Sequence, residues 1–150
     1  MATALAAAAL ALLGAEAALR LLDPEVYRFV HEARQIHRYD RAWRVAPRPG
    51  TARYRLTRPA LSFDVTLDAD GRRVPPGGDA GPGPAPYVHA IGDSFTMGWG
   101  VAFEESYPAR LGRLLAGRAS VLNLGLDGFG AIAATEASTR LLDRYPPAAV

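Results

Sequence analysis

From Tyr87 onward, short apolar runs alternate with segments of helical period, and this alternation restricts the fold more than any other feature of the chain. Tyr87-Val88-His89-Ala90-Ile91 is β-prone and mostly apolar, so it reads as a buried strand that Gly92 stops. Ser106 can cap a helix that tolerates Pro108 in its first turn. Tyr107, Leu111, Leu114 and Leu115 then fall at helical spacing, an apolar face able to cover a sheet, and Gly117 ends the segment. Val121-Leu122-Asn123-Leu124 reads as a second buried strand, Ala131 to Tyr145 as a second helix, and Ala148-Ala149-Val150 as the start of a third strand. Strand, helix, strand, helix, strand is the grammar of a parallel, doubly wound α/β sheet.

Two loops at the carboxyl ends of the expected strands carry the chemistry. The first is Gly92-Asp93-Ser94-Phe95-Thr96-Met97-Gly98. In open α/β sheets that edge collects ligands and reactive side chains. A serine hydroxyl there becomes a nucleophile if a base takes its proton and N–H groups hold the oxyanion. Gly, Asp and Ser are also ordinary turn residues. The second loop, Asn123-Leu124-Gly125-Leu126-Asp127-Gly128-Phe129-Gly130, has glycines that allow close backbone approach, followed by a helix whose N-terminal N–H groups point into that space. Asp127 reads as a loop residue tolerating an unusual backbone angle.

The first loop, continued through Gly100-Val101 and Ser106-Tyr107-Pro108, resembles the first sequence block of the SGNH, or GDSL-type, esterases and acylhydrolases. The second loop resembles the family's second block. The resemblance implies a flavodoxin-like doubly wound sheet, Ser94 as nucleophile and oxyanion N–H donor, and Gly128 as a second oxyanion donor, with Gly92, Asp93 and Asn123 as supporting motif residues. An α/β-hydrolase nucleophile turn is not expected, since Gly-x-Ser-x-Gly would need glycine where Thr96 stands. Asp68-x-x-Gly71-x-Arg73 resembles the Asn-x-x-Gly-x-Arg segment found ahead of the serine block in membrane-associated members, with Asp68 departing from it. The family's third block, Gly-x-Asn-Asp, and its Asp-x-x-His pair do not occur in the sequence. The expectation is therefore the N-terminal portion of a longer hydrolase with an incomplete sheet, inactive in this form. An isolated pair of strands is marginal in water.

Rivals use the same residues. Gly128-Phe129-Gly130-Ala131-Ile132-Ala133 fits Gly-x-Gly-x-x-Ala, a dinucleotide fingerprint. Against it, the strand ends several residues earlier, no acidic residue stands about 20 positions on, and Ser94 is left unexplained. A second alternative is a non-catalytic, envelope-associated binding module that retains a relic nucleophile block and uses the strand-rich segment Arg53 to Arg73.

Ahead of these loops the chain divides into a leader, a small structured region and a linker. Met1 to Ala15 carries no charged side chain, and counting on to Leu22 reaches membrane-spanning length only by including Glu16 and Arg20. Residues 1–22 are thus expected to be a signal peptide or membrane anchor, with Ala15-Glu16-Ala17 a small-x-small cleavage site. Neither Lys nor Arg precedes the apolar run, however, and the arginines that follow run against the positive-inside rule. An amphipathic helix of a soluble protein stays open as the alternative.

Residues 23–74 read as a helix from an Asp23 cap through Pro24 to about Tyr39, then a hairpin region. Here Phe63, Val65 and Leu67 alternate with Ser62, Asp64 and Thr66, and Asp70-Gly71 turns the chain. Residues 75–86, rich in proline and glycine, form a linker to the domain at 87–150.

Composition excludes several classes. The 150 residues contain no cysteine, which removes disulfides and thiolate metal sites. His31 and His37 lack acidic partners at ligand spacing, and His89, five residues before Ser94 on the same strand, reads as a core or helix-facing residue. No metal or organic cofactor is implied. All 17 basic residues are arginine, nine of them between Arg28 and Arg58, yet no nucleic-acid module accompanies them. The expected partner is an ester-bearing small molecule, lipid or glycan of the cell envelope.

Overall fold

The computed structural model describes residues 2–22, 24–41, 44–57, 60–78 and 81–148, with the side chains of 24–27, 44 and 57 outside the description. The chain is mixed α/β, with three small sheets and an apolar helix at its start. That helix, α1 (Ala2–Leu22), buries none of its residues and is long and apolar enough to cross a membrane, with mean hydropathy 1.8. Its two charges neutralise each other one turn apart, since Arg20 Nε donates to Glu16 at 2.9 Å.

Helix α2 (Pro24–Ile36) ends earlier than the sequence suggests. Ile36 is fully buried, and the chain turns there into β1 (His37–Asp40), which pairs antiparallel with β2 (Arg44–Pro47). The expected cap, Asp23, lies outside the described residues. β3 (Gly50–Thr57) and β4 (Ala60–Leu67) pair antiparallel, and the chain turns at Asp70-Gly71, as expected, into β5 (Arg73–Val74), which joins the far edge of β4. Tyr54 lies opposite Phe63 and Ala52 opposite Val65, which places the apolar alternation on one face.

β6 (Tyr87–Ala90) and β7 (Ser120–Asn123) are parallel and in register from Tyr87 against Ser120 to Ala90 against Asn123. Pro147 bridges Tyr87 in parallel on the other edge of β6, where the Ala148 N–H donates to the Tyr87 carbonyl at 2.8 Å. The continuation at Ala149 and Val150 lies outside the described residues.

Between them, α3 (Ser94–Met97) is a single turn and α4 (Tyr107–Leu114) leads into β7. α4 buries Pro108 and half-buries Leu111 and Gly112, with Leu115 half-buried just past its end, whereas Tyr107 and Leu114 are exposed, so the covering face is rotated from the expected one. Ser106 occupies the cap position, but its hydroxyl donates to the Phe103 carbonyl at 2.7 Å instead of capping. α5 (Ala131–Thr139) is shorter than the expected helix to Tyr145, with turns following it.

The main core crosses the proline-glycine linker. Ile36, Ala46, Ala52, Tyr54, Phe63, Val65 and Leu67 pack with Met97, Leu126, Phe129, Ala133 and Ala134. Trp99, just past α3, packs edge-on to Phe63 at 5.1 Å while Tyr54 stacks on Phe63 at 5.0 Å. A second cluster gathers Leu122, Leu124 and Tyr145.

Candidate functional site

The two loops flagged in the sequence lie side by side because their strands are neighbours. Main-chain bonds continue past the strand ends: the Leu124 N–H donates to Ala90 at 2.8 Å and the Leu126 N–H to Gly92 at 3.1 Å. The approach is so close that a Cβ on Gly125 would stand 2.2 Å from the Met97 nitrogen. Gly92 has no more room, since a Cβ there would meet the Thr96 hydroxyl oxygen at 2.2 Å. Gly125 is thus the point where the second loop touches the first, and Gly92 lets the first loop close on itself.

Ser94 is the first residue of α3 and half-buried. The Asp93 carboxylate accepts from the Phe95 N–H at 3.0 Å, so Asp93 caps the turn. Gly98 closes it at φ 84°, in the left-handed region. Asn123 is buried and braces the turn from the neighbouring strand: its Nδ2 donates to the Met97 carbonyl at 3.3 Å, and its Oδ1 accepts from the Gly125 N–H at 3.1 Å.

Among the described residues, the Ser94 hydroxyl has no hydrogen-bond partner, and the N–H groups of Ser94 and Gly128 have none either. Gly128 is exposed, at φ 81°, with open space on its Cβ side. Phe95, next to Ser94 in the chain, and Ile132, in the first turn of α5, are exposed apolar side chains.

None of the histidines makes a hydrogen bond to Ser94. His31 is exposed on α2. His89 is held on both ring nitrogens, Nδ1 by the Ser138 hydroxyl at 2.8 Å and Nε2 by the Tyr145 carbonyl at 2.8 Å, in keeping with a helix-facing residue.

His37 lies outside the helix that the sequence suggests to about Tyr39. It is half-buried at the start of β1, with Nδ1 2.5 Å from the Ala33 carbonyl and Nε2 2.7 Å from the Asp127 carboxylate. Burial lowers its pKa, but the hydrogen bond and charge of Asp127 with the Ala33 carbonyl outweigh it and raise the value above 6.5. Asp127 is therefore an anchor of the second loop, and the unusual backbone angle belongs to Gly128.

Sequence reasoning undervalued Asp68-x-x-Gly71-x-Arg73. The Asp68 carboxylate accepts from the N–H groups of Asp70 and Arg72 at 3.0 and 2.9 Å and pairs with the buried Arg72 guanidinium at 2.6 Å. Asp70 accepts from the Tyr145 hydroxyl at 2.6 Å, tying the turn to the segment after α5. Arg73 reaches the serine turn itself, donating to the carbonyls of Met97 and Gly98 at 2.6 and 2.8 Å. Only the resemblance of the hexapeptide to a known segment pointed at it; nothing in periodicity could.

No group of three or more metal-ligating side chains occurs among the described residues. Comparison with protein-family models, curated proteins and solved structures finds no match to the chain.

Proposed function

We propose that the chain carries the nucleophile and oxyanion half of a serine ester hydrolase of the SGNH type. The observation that carries this reading is the set of polar groups on the two neighbouring loops that have no partner among the described residues: the Ser94 hydroxyl and the N–H groups of Ser94 and Gly128. Donors left free on loops this tightly braced are suited to a developing oxyanion. The winding also favours it. β7 on one edge of β6 and Pro147 on the other give the order second, first, third, which is how a flavodoxin-like sheet begins. The dinucleotide reading loses support, because β7 ends at Asn123 and Gly128 stands on an exposed turn away from it.

In this reading the Ser94 oxygen attacks an ester carbonyl carbon and its proton passes to a base. The tetrahedral oxyanion accepts from the Ser94 and Gly128 N–H groups. The alcohol leaves with a proton, and the acyl group passes from Ser94 to water or a sugar hydroxyl. An acylated envelope glycan or lipid fits a chain whose first helix is suited to a membrane.

The base is not among the described contacts of Ser94, so turnover of p-nitrophenyl acetate is expected to be negligible, because losing triad members costs on the order of a millionfold. The same observation favours a second reading, a binding module that keeps the block as a relic.

A fluorophosphonate probe with and without added imidazole separates the two. Ser94 displaces fluoride from phosphorus, and imidazole, as an added base, takes the hydroxyl proton. The hydrolase reading expects an adduct on Ser94 that imidazole accelerates and Ser94→Ala abolishes. No adduct under either condition would leave the binding module standing.

A further inference from the structure

Arg73 is 2% exposed, and both terminal nitrogens of its guanidinium end on main-chain carbonyls, while its buried Nε has no hydrogen-bond partner among the described residues. Nη1 donates to Met97 and Gly98 at 2.6 and 2.8 Å, and Nη2 to Val101 and Asp64 at 2.9 and 3.2 Å. No carboxylate is among these partners. A buried cation without a counter-ion is expensive, so such an arrangement persists only where the bonds it makes organise something. Burial accordingly pulls the Arg73 pKa down to about 10, with the charge of Glu104 acting the other way, and it remains a cation at neutral pH.

What it organises is the turn that begins with Ser94. The last carbonyls of a helix lack intrahelical donors and favour a positive charge. Met97 and Gly98 supply such carbonyls at the end of α3, and Asn123 shares the Met97 oxygen. The Asp93 carboxylate holds the other end of the same turn. Val101, also held by Arg73, lies where the loop leaves towards α4. Gly98 leaves no slack, for a Cβ there would meet Arg73 Nη1 at 2.6 Å.

We propose that Arg73 is a positioning residue for Ser94: from β5, ahead of the linker, it clamps the far end of the nucleophile's turn and fixes where the hydroxyl and its N–H point. This rests on the reading of Ser94 as nucleophile. It makes the β-rich segment ahead of the linker a working part of the site.

The test uses the full chain in detergent as wild type, Arg73→Met and Arg73→Lys, with two readouts. One is amide hydrogen exchange, comparing Gly98, Trp99 and Val101 with the core amides of Tyr54, Val65 and Leu122. The other is the rate of Ser94 labelling by a fluorophosphonate in the presence of imidazole. Arg73→Met is expected to speed exchange in the turn and to slow labelling by about tenfold or more, with core exchange unchanged. Arg73→Lys, which keeps the charge but loses the planar fork, is expected to recover part of both.

Labelling and turn exchange at wild-type rates in Arg73→Met would overturn the proposal. So would slower labelling with turn exchange at the wild-type rate. If Arg73→Met loses core protection outright, Arg73→Lys decides: partial recovery in the turn supports the clamp, and wild-type behaviour refutes it. Absence of labelling in the wild type would defeat the nucleophile reading, and turn exchange alone would then decide whether Arg73 holds the loop.

Discussion

The contact between His37 and Asp127 makes stability depend on pH in a direction the structure fixes. Nδ1 faces the Ala33 carbonyl, and Nε2 faces the Asp127 carbonyl at 3.2 Å with the Asp127 carboxylate beside it at 2.7 Å, and all of these are acceptors only. Satisfying acceptors on both sides requires a proton on each ring nitrogen, hence an imidazolium. The folded pKa is raised above 6.5, so the contribution is fully present below the unfolded value and is lost as pH rises through the folded one. Between the two values the folded chain holds a proton the unfolded chain lacks, and stability falls by at most about 1.4 kcal/mol per pH unit.

The side chains are only 14% and 17% exposed, so solvent screens the pair weakly. A charge-assisted hydrogen bond in such a place contributes about 1.5 to 3 kcal/mol. Urea unfolding in detergent, with His37→Gln as reference, measures it. The wild type should exceed the variant by about 2 kcal/mol at pH 5.5, a gap that narrows as pH rises past neutrality. A gap that widens with pH, or a His37 ring that titrates at or below 6.5 by NMR, would refute the reasoning.

Two further substitutions test the packing. Gly125→Ala drives a methyl against the Met97 nitrogen and Thr96 carbonyl carbon, 2.2 and 2.6 Å from the ideal Cβ, and both are backbone. It should cost about 3 kcal/mol by urea midpoint, because neither loop can yield without breaking the bonds between them. Tyr54→Phe should be neutral or raise the melting temperature, since the Tyr54 hydroxyl is buried without a hydrogen-bond partner among the described residues. Burial, with the charges of Asp127 and Glu32, pushes that hydroxyl's pKa far up, so it stays neutral throughout the accessible range.

Local pattern revealed the parts of this fold whose partners are local. The alternation of Phe63, Val65 and Leu67 marked β4, and the apolar run before Gly92 marked β6. The end of α2 was not legible, because four residues of β1 are too few to show a period and Ile36 is buried by tertiary contact. The site divided the same way. Ser94, Gly92 and Gly128 stood out by type and spacing, and Asn123 gained its role from the neighbouring turn.

His37 and Asp127, 90 residues apart, have no sequence signal that joins them. Arg73 is a harder case still, since its acceptors are main-chain carbonyls, which every residue possesses. Side chains that act through backbone groups leave no complementary residue to read.

The most direct test of the account is the rate at which a fluorophosphonate labels Ser94 relative to the chain's other serines, read by peptide mass spectrometry in the presence of imidazole. Oxyanion stabilisation persists when the rest of a triad is absent, so Ser94 is expected to react about a hundredfold or more faster than any other serine. Labelling spread evenly over the serines, or unchanged by Ser94→Ala, would contradict the claim that these two loops form a nucleophile site.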